Sequence, residues 1–365
     1  MRRTPLAPVY VQSSSSDTFV PGLVSVVLAV HNGEADLQQA IESVLAQSYA
    51  PIELIAVDDG STDGTLEVLQ SFGERIQIVH QSNKGLPGAR NTGLKHASGE
   101  FIVLMDHDDI WMPERIAVQI QMLRQFPEVG LCSSDFRAFN SAGFVSESYI
   151  NTYYPLCKSS ADGVTGLYLD SDVLEASSLE SHNQIRIWKG KVYDVIAQAN
   201  FVHPPTVMFR ASLLSHCGGF NPAARNTCDW EWLARMARVT EFGYVDSPLI
   251  DYRLSETQMT AQRHRLSNAL EFLMVKRMIW QRDSELVERM GEILRRQYAE
   301  EAISIAYEYA GRHPRTAWQL FFEATFHYRL VNKDTFGAAL RLLIPTPVRR
   351  LAQRLRGDTS VMKPT

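Results

Sequence analysis

Two short apolar runs in this chain each end in a cluster of acids, and that pairing limits the folds open to it. Residues 53–57 run into Asp58-Asp59-Gly60-Ser61-Thr62-Asp63-Gly64-Thr65, and residues 101–105 into Asp106-His107-Asp108-Asp109. Runs of this length, bounded by turn residues, read as buried strands. Residues 24–30 read as an earlier strand, after which Leu37, Ala40, Ile41, Val44 and Leu45 recur at helical spacing. Residues 66–72 predict a short helix, 76–79 a third strand and 84–96 another helix. Strands alternating with helices at this pace predict an α/β fold with a mainly parallel, Rossmann-like sheet. Ligands of such sheets bind beyond the carboxyl ends of the strands, where both acidic clusters fall. The first 110 residues therefore read as a nucleotide-binding half.

The rest of the chain is patterned differently. Residues 129–200 mix Gly, Ser, Asn and Asp with short strand-like pieces, and a helical pattern returns over 229–239. Beyond residue 263 nearly everything reads helical up to Pro345 and Pro347, and 348–356 predicts a short basic amphipathic helix. Charge follows the same division. Residues 1–262 hold 18 Lys or Arg against 30 Asp or Glu, whereas 263–365 hold 18 against 11. A basic tail of this kind suits an anionic membrane surface or nucleic acid, or simply balances the acidic half. A chain of 365 residues with 45% hydrophobic and 21% charged residues has the composition of a folded soluble protein. Its four cysteines stand far apart with no metal-ligand spacing, which reads as free thiols in a reducing compartment. No apolar run approaches the ~20 residues of a membrane span. Met1-Arg2-Arg3 is followed by Pro and Ser, which is not the pattern of a signal peptide.

Four segments carry candidate chemistry, each with a plainer alternative. In an extended backbone Asp106 and Asp108 point the same way, and hard cations take one or two carboxylates together with substrate phosphates. The alternative is a turn whose acids cap the next helix. The 58–65 loop offers Gly for tight turning and acids to meet a base or ribose, or is an ordinary strand–turn–helix connection capped by Asp63. It starts like a calcium loop but has Gln70 where the bidentate Glu belongs. Lys84 and Arg90 sit near the same sheet edge, as partners for a diphosphate or as solvated cations. Asp229 opens a helix, either as its N-cap or as a general base.

Taken together these segments resemble family 2 of the inverting glycosyltransferases, which have the GT-A fold. Val24-Ser25-Val26-Val27-Leu28-Ala29-Val30-His31-Asn32 is similar to the family's opening strand, and residues 43–65 to its SVLxQ and DDGSTDGT elements. Asn83-Lys84-Gly85 through Arg90-Asn91-Thr92-Gly93 resembles its NxGxxxARNxG element, and residues 98–109 its GEYIxxLDxDD. Cys228-Asp229-Trp230-Glu231-Trp232 resembles its late EDWDLW segment. The likeness is dense over 22–130 and returns at 206–253. It implies a flexible lead-in at 1–21, a GT-A domain at 22–255 with donor (22–130) and acceptor (131–255) halves, and a basic helical region at 256–365.

By position, the resemblance puts Asp58 against the base of a nucleotide sugar, with His31, Asn32 and Glu34 beside it. Lys84 or Arg90 would meet the diphosphate, Asp106 and Asp108 would hold Mg²⁺ or Mn²⁺, and Asp229 would deprotonate the acceptor. The implied reaction is metal-dependent inverting transfer from a nucleoside-diphosphate sugar, UDP-sugar favoured, to a glycan or lipid-linked hydroxyl. The implied setting is cytoplasmic polysaccharide biosynthesis, with the basic C-terminal helix on the inner membrane face and no nucleic-acid partner. Four positions depart from the pattern: Ala29 for Pro, His31 for Tyr, Cys228 for Glu and Ser255 for His. They keep open a catalytically silent nucleotide-sugar-binding or scaffold protein. A nucleotidyltransferase lacks support, because no glycine-rich phosphate loop opens the first strand–helix turn.

Overall fold

Residues 24–30 are all buried, so the first strand is covered on both faces and lies at the centre of the sheet. Its one polar side chain, Ser25, is satisfied there: it donates to Glu53 at 2.5 Å and accepts from the Gly99 N–H at 2.8 Å. The structure is a computed structural model that describes residues 19–174, 184–255, 265–281 and 283–343.

The chain begins with β1 (Val20–Val30), α1 (Leu37–Leu45), β2 (Ile52–Asp58), α2 (Thr65–Ser71), β3 (Gln77–His80), α3 (Gly85–His96) and β4 (Gly99–Asp106), the expected alternation. It continues through β5 (Ile110–Trp111), α4 (Arg115–Gln125), β6 (Val129–Asn140), β7 (Gly143–Ser146), α5 (Ile150–Tyr153) and α6 (Pro155–Ser159). Then come β8 (Asp170–Leu174), β9 (Ile185–Gly190), α7 (Tyr193–Ile196), β10 (Met208–Arg210), α8 (Leu214–Cys217), α9 (Cys228–Ala237) and β11 (Glu241–Arg253). Among the described residues these strands form one sheet in the order β3-β2-β1-β4-β10-β6-β11-β9-β8, with β5 on β11 and β7 on β6. The first four strands are mutually parallel, whereas β10 runs antiparallel to both β4 and β6.

Two long strands, β6 in the irregular middle of the sequence and β11 after α9, are not announced by its pattern. β6 buries Ser133, Ser134 and Asp135, and its parallel partner β11 carries three register shifts. Polar residues inside a buried strand hide the apolar run, and the shifts break the period of two. Helix α3 lies close on β1 because position 93 is glycine; a methyl there would overlap the Val27 side chain.

Backbone contacts divide the chain into two compact units, residues 1–261 and 262–365. The second holds α10 (Arg265–Gln281), α11 (Ser284–Tyr309), α12 (Pro314–Phe322) and α13 (Lys333–Leu343), with a π-helical turn at Glu323–His327. Asp283 caps α11 by accepting from the Leu286 N–H at 3.0 Å. No helix among the described residues is long and apolar enough to cross a membrane. All four cysteines are free and buried. The basic segment 348–356 lies outside the described residues.

Candidate active site

The register of the parallel strands decides what meets at their carboxyl ends. Val30 pairs with Asp58, Asp58 with His80 and Ala29 with Asp106, so the ends of β1 to β4 lie level. The chain order reverses at β1, which has β2 on one side and β4 on the other. That switch point is where open α/β sheets bind ligands.

The loops after β1 and β2 are laced together. Asn32 takes the left-handed conformation, φ 55°, that Asn tolerates. Its N–H donates to Ser61 Oγ at 3.0 Å and its Oδ1 accepts from the Thr62 N–H at 2.8 Å. Glu34 Oε2 accepts from the Gly64 N–H at 3.0 Å, where α2 begins. Asn32 and Glu34 therefore hold the loop pair in shape while remaining exposed, as does His31, whose Nδ1 is 3.0 Å from the Asp59 carbonyl.

Asp58 differs from the expectation. Its side chain is fully buried, one oxygen accepting from the Ser61 N–H at 3.0 Å and the other lying 2.8 Å from His80 Nδ1. Burial pushes its pKa up, but the bonds from Ser61 and His80 outweigh that and hold it below the ordinary value. The carboxylate thus braces the floor of the crevice and offers no open surface to a base. Asp59 is spent similarly, accepting from Gln81 Nε2 at 2.6 Å and from the Lys84 N–H at 2.8 Å.

Arg90 also takes a place the sequence does not foretell. It faces the sheet from α3, is 1% exposed, and donates through one Nη to Asp229 and through the other to Asp106 at 3.0 Å. Burial would lower its pKa, but the two carboxylates more than compensate and keep it charged. A guanidinium so engaged is not free for a diphosphate. That leaves Lys84, exposed at the start of α3, as the nearby cation with an open side chain. The next residue completes the link: Asn91 donates to the Phe220 carbonyl at 2.8 Å and accepts from its N–H at 2.7 Å. The loop it grips leads to α9, which Trp232 anchors by donating to the Gly218 carbonyl at 3.1 Å and stacking on Phe220. The Arg90-Asn91 pair therefore fixes the position of Asp229, 139 residues further on.

Asp229 lies in the first turn of α9 and keeps 16% of its side chain exposed. Burial raises its pKa above the ordinary Asp value, Arg90 draws it down, and Asp106 raises it again. The outcome is a carboxylate that is held in place, open on one side, and more basic than a solvated Asp.

The last acid of the cluster, Asp109, is wholly buried. It accepts from the Arg253 N–H at 3.3 Å, while Arg253 Nε donates to the Asp108 carbonyl at 3.1 Å, tying β11 to the turn after β4. Burial, then the charges of Asp108 and Asp106, push the Asp109 pKa well up. Its role is structural. Asp106 and Asp108 are half-buried. No group of three or more His, Cys, Asp or Glu among the described residues is arranged to hold a metal. This donor set fits a hard cation that takes one or two carboxylates and completes its shell with phosphate oxygens and water, and does not fit an all-protein cage. Ser255 stands where the resemblance places His.

Residues 25–169 match the family model described as Glycosyl transferase family 2. An uncharacterized glycosyltransferase of Rickettsia felis is 28% identical over 238 residues, covering 65% of this chain and 35% of that protein. The UDP-Glc:alpha-D-GlcNAc-diphosphoundecaprenol beta-1,3-glucosyltransferase WfgD of Escherichia coli is 36% identical over 162 residues, covering 43% of this chain and 63% of that protein. The chain thus spans between about a third and two thirds of the length of these curated relatives. Among solved structures, S. aureus TarS 1-349 in complex with UDP superposes with a TM-score of 0.52 at 16% identity, covering 90% of this chain and 92% of that one. The mannosyltransferase PcManGT from Pyrobaculum calidifontis, in complex with GDP-Man and Mn²⁺, gives 0.52 at 17% identity, covering 94% and 87%. These likenesses show the GT-A type of fold. With that sheet and its acid-bearing loops, residues 25–169 form a segment of the glycosyltransferase family 2 type, set in a GT-A type of fold.

Proposed function

We propose that this protein transfers a sugar from a nucleoside-diphosphate sugar to an acceptor hydroxyl with inversion, and that Asp229 is the general base. The observation that carries this reading is the Asp229–Arg90–Asp106 arrangement at the carboxyl edge of the sheet, which joins a partly open carboxylate to the acidic motif through one buried cation. Asp229 accepts the proton of the hydroxyl as its oxygen bonds to the anomeric carbon. The bond from that carbon to the diphosphate breaks on the opposite face. Lys84 lies near the departing phosphates and offsets their charge. A divalent cation such as Mg²⁺ or Mn²⁺, held by Asp106 and Asp108, supplies further positive charge against the leaving diphosphate when bound. UDP is the favoured nucleotide, since the WfgD name specifies UDP-Glc and TarS has been solved with UDP.

The pH dependence tests the base. Only ionised Asp229 accepts a proton, so kcat/KM should fall as pH drops through a pKa lying above the ordinary Asp value of 3.8. The released nucleotide should be a diphosphate. An activity that stays level down to the ordinary carboxylate range, or release of pyrophosphate, would contradict this reading.

For the acceptor we favour a lipid-linked glycan, supported by exposed apolar side chains in the helical unit. Phe326, Val331, Phe336 and Leu343 are each at least 69% exposed, interspersed in sequence with Arg329, Lys333 and Arg341. Apolar residues among cations suit peripheral contact with an anionic bilayer. The full chain should co-sediment with phosphatidylglycerol vesicles, and a Phe326→Ser/Phe336→Ser variant should do so several-fold less. Equal sedimentation of the two proteins would remove the membrane from the proposal.

A further inference from the structure

The acidic turn at 106–109 is held from outside more firmly than from within. Its own closing bond, from the Asp109 N–H to the Asp106 carbonyl, is long at 3.5 Å. Shorter attachments come from Arg253 at the end of β11. Its N–H donates to Asp109 Oδ1 at 3.3 Å, and its Nε–H is shared between the Asp108 carbonyl at 3.1 Å and Asp36 Oδ1 at 3.2 Å. One Nη donates to Gln39 Oε1 at 3.1 Å, and the guanidinium lies 4.7 Å from the centre of the Phe139 ring on β6. Asp36 directly precedes α1 and Gln39 lies within it, so one side chain joins β11, the turn after β4 and the chain that follows β1. The loop after β1 meets the acidic turn a second time at Gly33, where an added Cβ would sit 2.5 Å from the His107 ring. A guanidinium suits this position because its N–H groups form a rigid planar fork, so that each bond fixes the direction of the others.

We infer that Arg253 is a positioning residue, which fixes the peptide of Asp108 and thereby aims that carboxylate at a divalent cation. This deepens the proposal that Asp106 and Asp108 hold Mg²⁺ or Mn²⁺, and rests on it. Arg253 acts through Asp108 and not by touching the cation. Its removal has two opposed effects. A positive charge leaves the neighbourhood, which favours a bound cation, and the Asp108 peptide is released, which disfavours it. Hydrogen-bond partners of metal ligands are worth about 10–100-fold in metal affinity. A partly exposed charge already paired with Asp36 is worth far less. Geometry therefore outweighs charge, and the sign of the change in affinity tells the two apart.

Mn²⁺ binding to the full chain tests this, read from the electron-spin resonance of the free ion with UDP or GDP present, beside calorimetric titration of the same nucleotide without metal. Arg253→Met weakens Mn²⁺ binding about tenfold or more. Arg253→Lys keeps the charge but loses the fork, and weakens it by a smaller factor. Both variants bind the metal-free nucleotide within about twofold of wild type. In an Asp108→Asn background, Arg253→Met brings no further loss of Mn²⁺ affinity. Arg253→Lys is a conservative change at a partly exposed position, and gives a reading even if Arg253→Met does not fold. Mn²⁺ affinity that is unchanged or higher in the variants overturns the inference. So does an equal loss of metal-free nucleotide affinity, which marks Arg253 as a general support of the fold. Wild type that binds no Mn²⁺ with either nucleotide removes the cation from Asp106 and Asp108, and this inference with it.

Discussion

Arg90→Met should be the most damaging single substitution in the unit of residues 1–261. It strands two carboxylates that now share one buried cation, and removing one partner of a buried pair costs about 3–5 kcal/mol. At about 2–4 °C per kcal/mol for a unit of this size, the melting temperature should fall by roughly 6–20 °C. Methionine fills most of the volume, so the loss comes from unpaired charge and not from a cavity. Arg90→Lys keeps the charge but cannot reach both acids with one ammonium group, and should give an intermediate result. The double variant Arg90→Met/Asp229→Asn distinguishes these effects. Neutralising Asp229 removes part of the stranded charge, so the double variant should melt above Arg90→Met alone. Strict additivity of the two changes would show that the pair is not coupled.

Asp229→Asn should have the largest effect on turnover with the least effect on the fold. The amide keeps the size of the carboxylate and can still accept from Arg90, but it takes no proton from a hydroxyl. General-base help is worth about 10²–10⁴-fold, and kcat should fall by that factor while the affinity for nucleotide is retained. Loss of nucleotide affinity with kcat unchanged would make Asp229 a binding residue, and normal activity would remove it from the mechanism. Asp229→Glu is informative beside it. The longer side chain retains the base but moves it by a methylene, so partial activity is expected where Asn has almost none.

The first 110 residues were legible because their signals are local. An uninterrupted apolar run at 24–30, helical spacing at 37–45 and acids directly after two strands need no partner elsewhere to be read. The stretch that follows was not. β6 carries Ser133, Ser134 and Asp135 in buried positions, where hydrogen bonding, not apolarity, makes burial tolerable. The residues that meet at the carboxyl edge of the sheet were mostly visible, but their attachments were not. Arg90 reads as a surface cation until the fold brings Asp229 beside it, and no local pattern encodes a pairing across 139 residues. Arg253 carries no local signal of its own, although it ties β11 to the acidic turn. Asp58 is a case where a local signal existed. Its bond to the Ser61 N–H is an acid side chain closing its own turn around Gly60, which Asp-Asp-Gly-Ser could have suggested.

The most direct test of the donor assignment is calorimetric titration of UDP, GDP and dTDP into the full chain, with and without Mn²⁺, beside Asp106→Asn/Asp108→Asn. One nucleotide, expected to be UDP, should bind saturably and more tightly with Mn²⁺, and the double variant should lose that metal-dependent gain. No binding of any nucleotide, or a Mn²⁺ response that the double variant leaves intact, would contradict a nucleotide-sugar site at the carboxyl ends of β1 and β4.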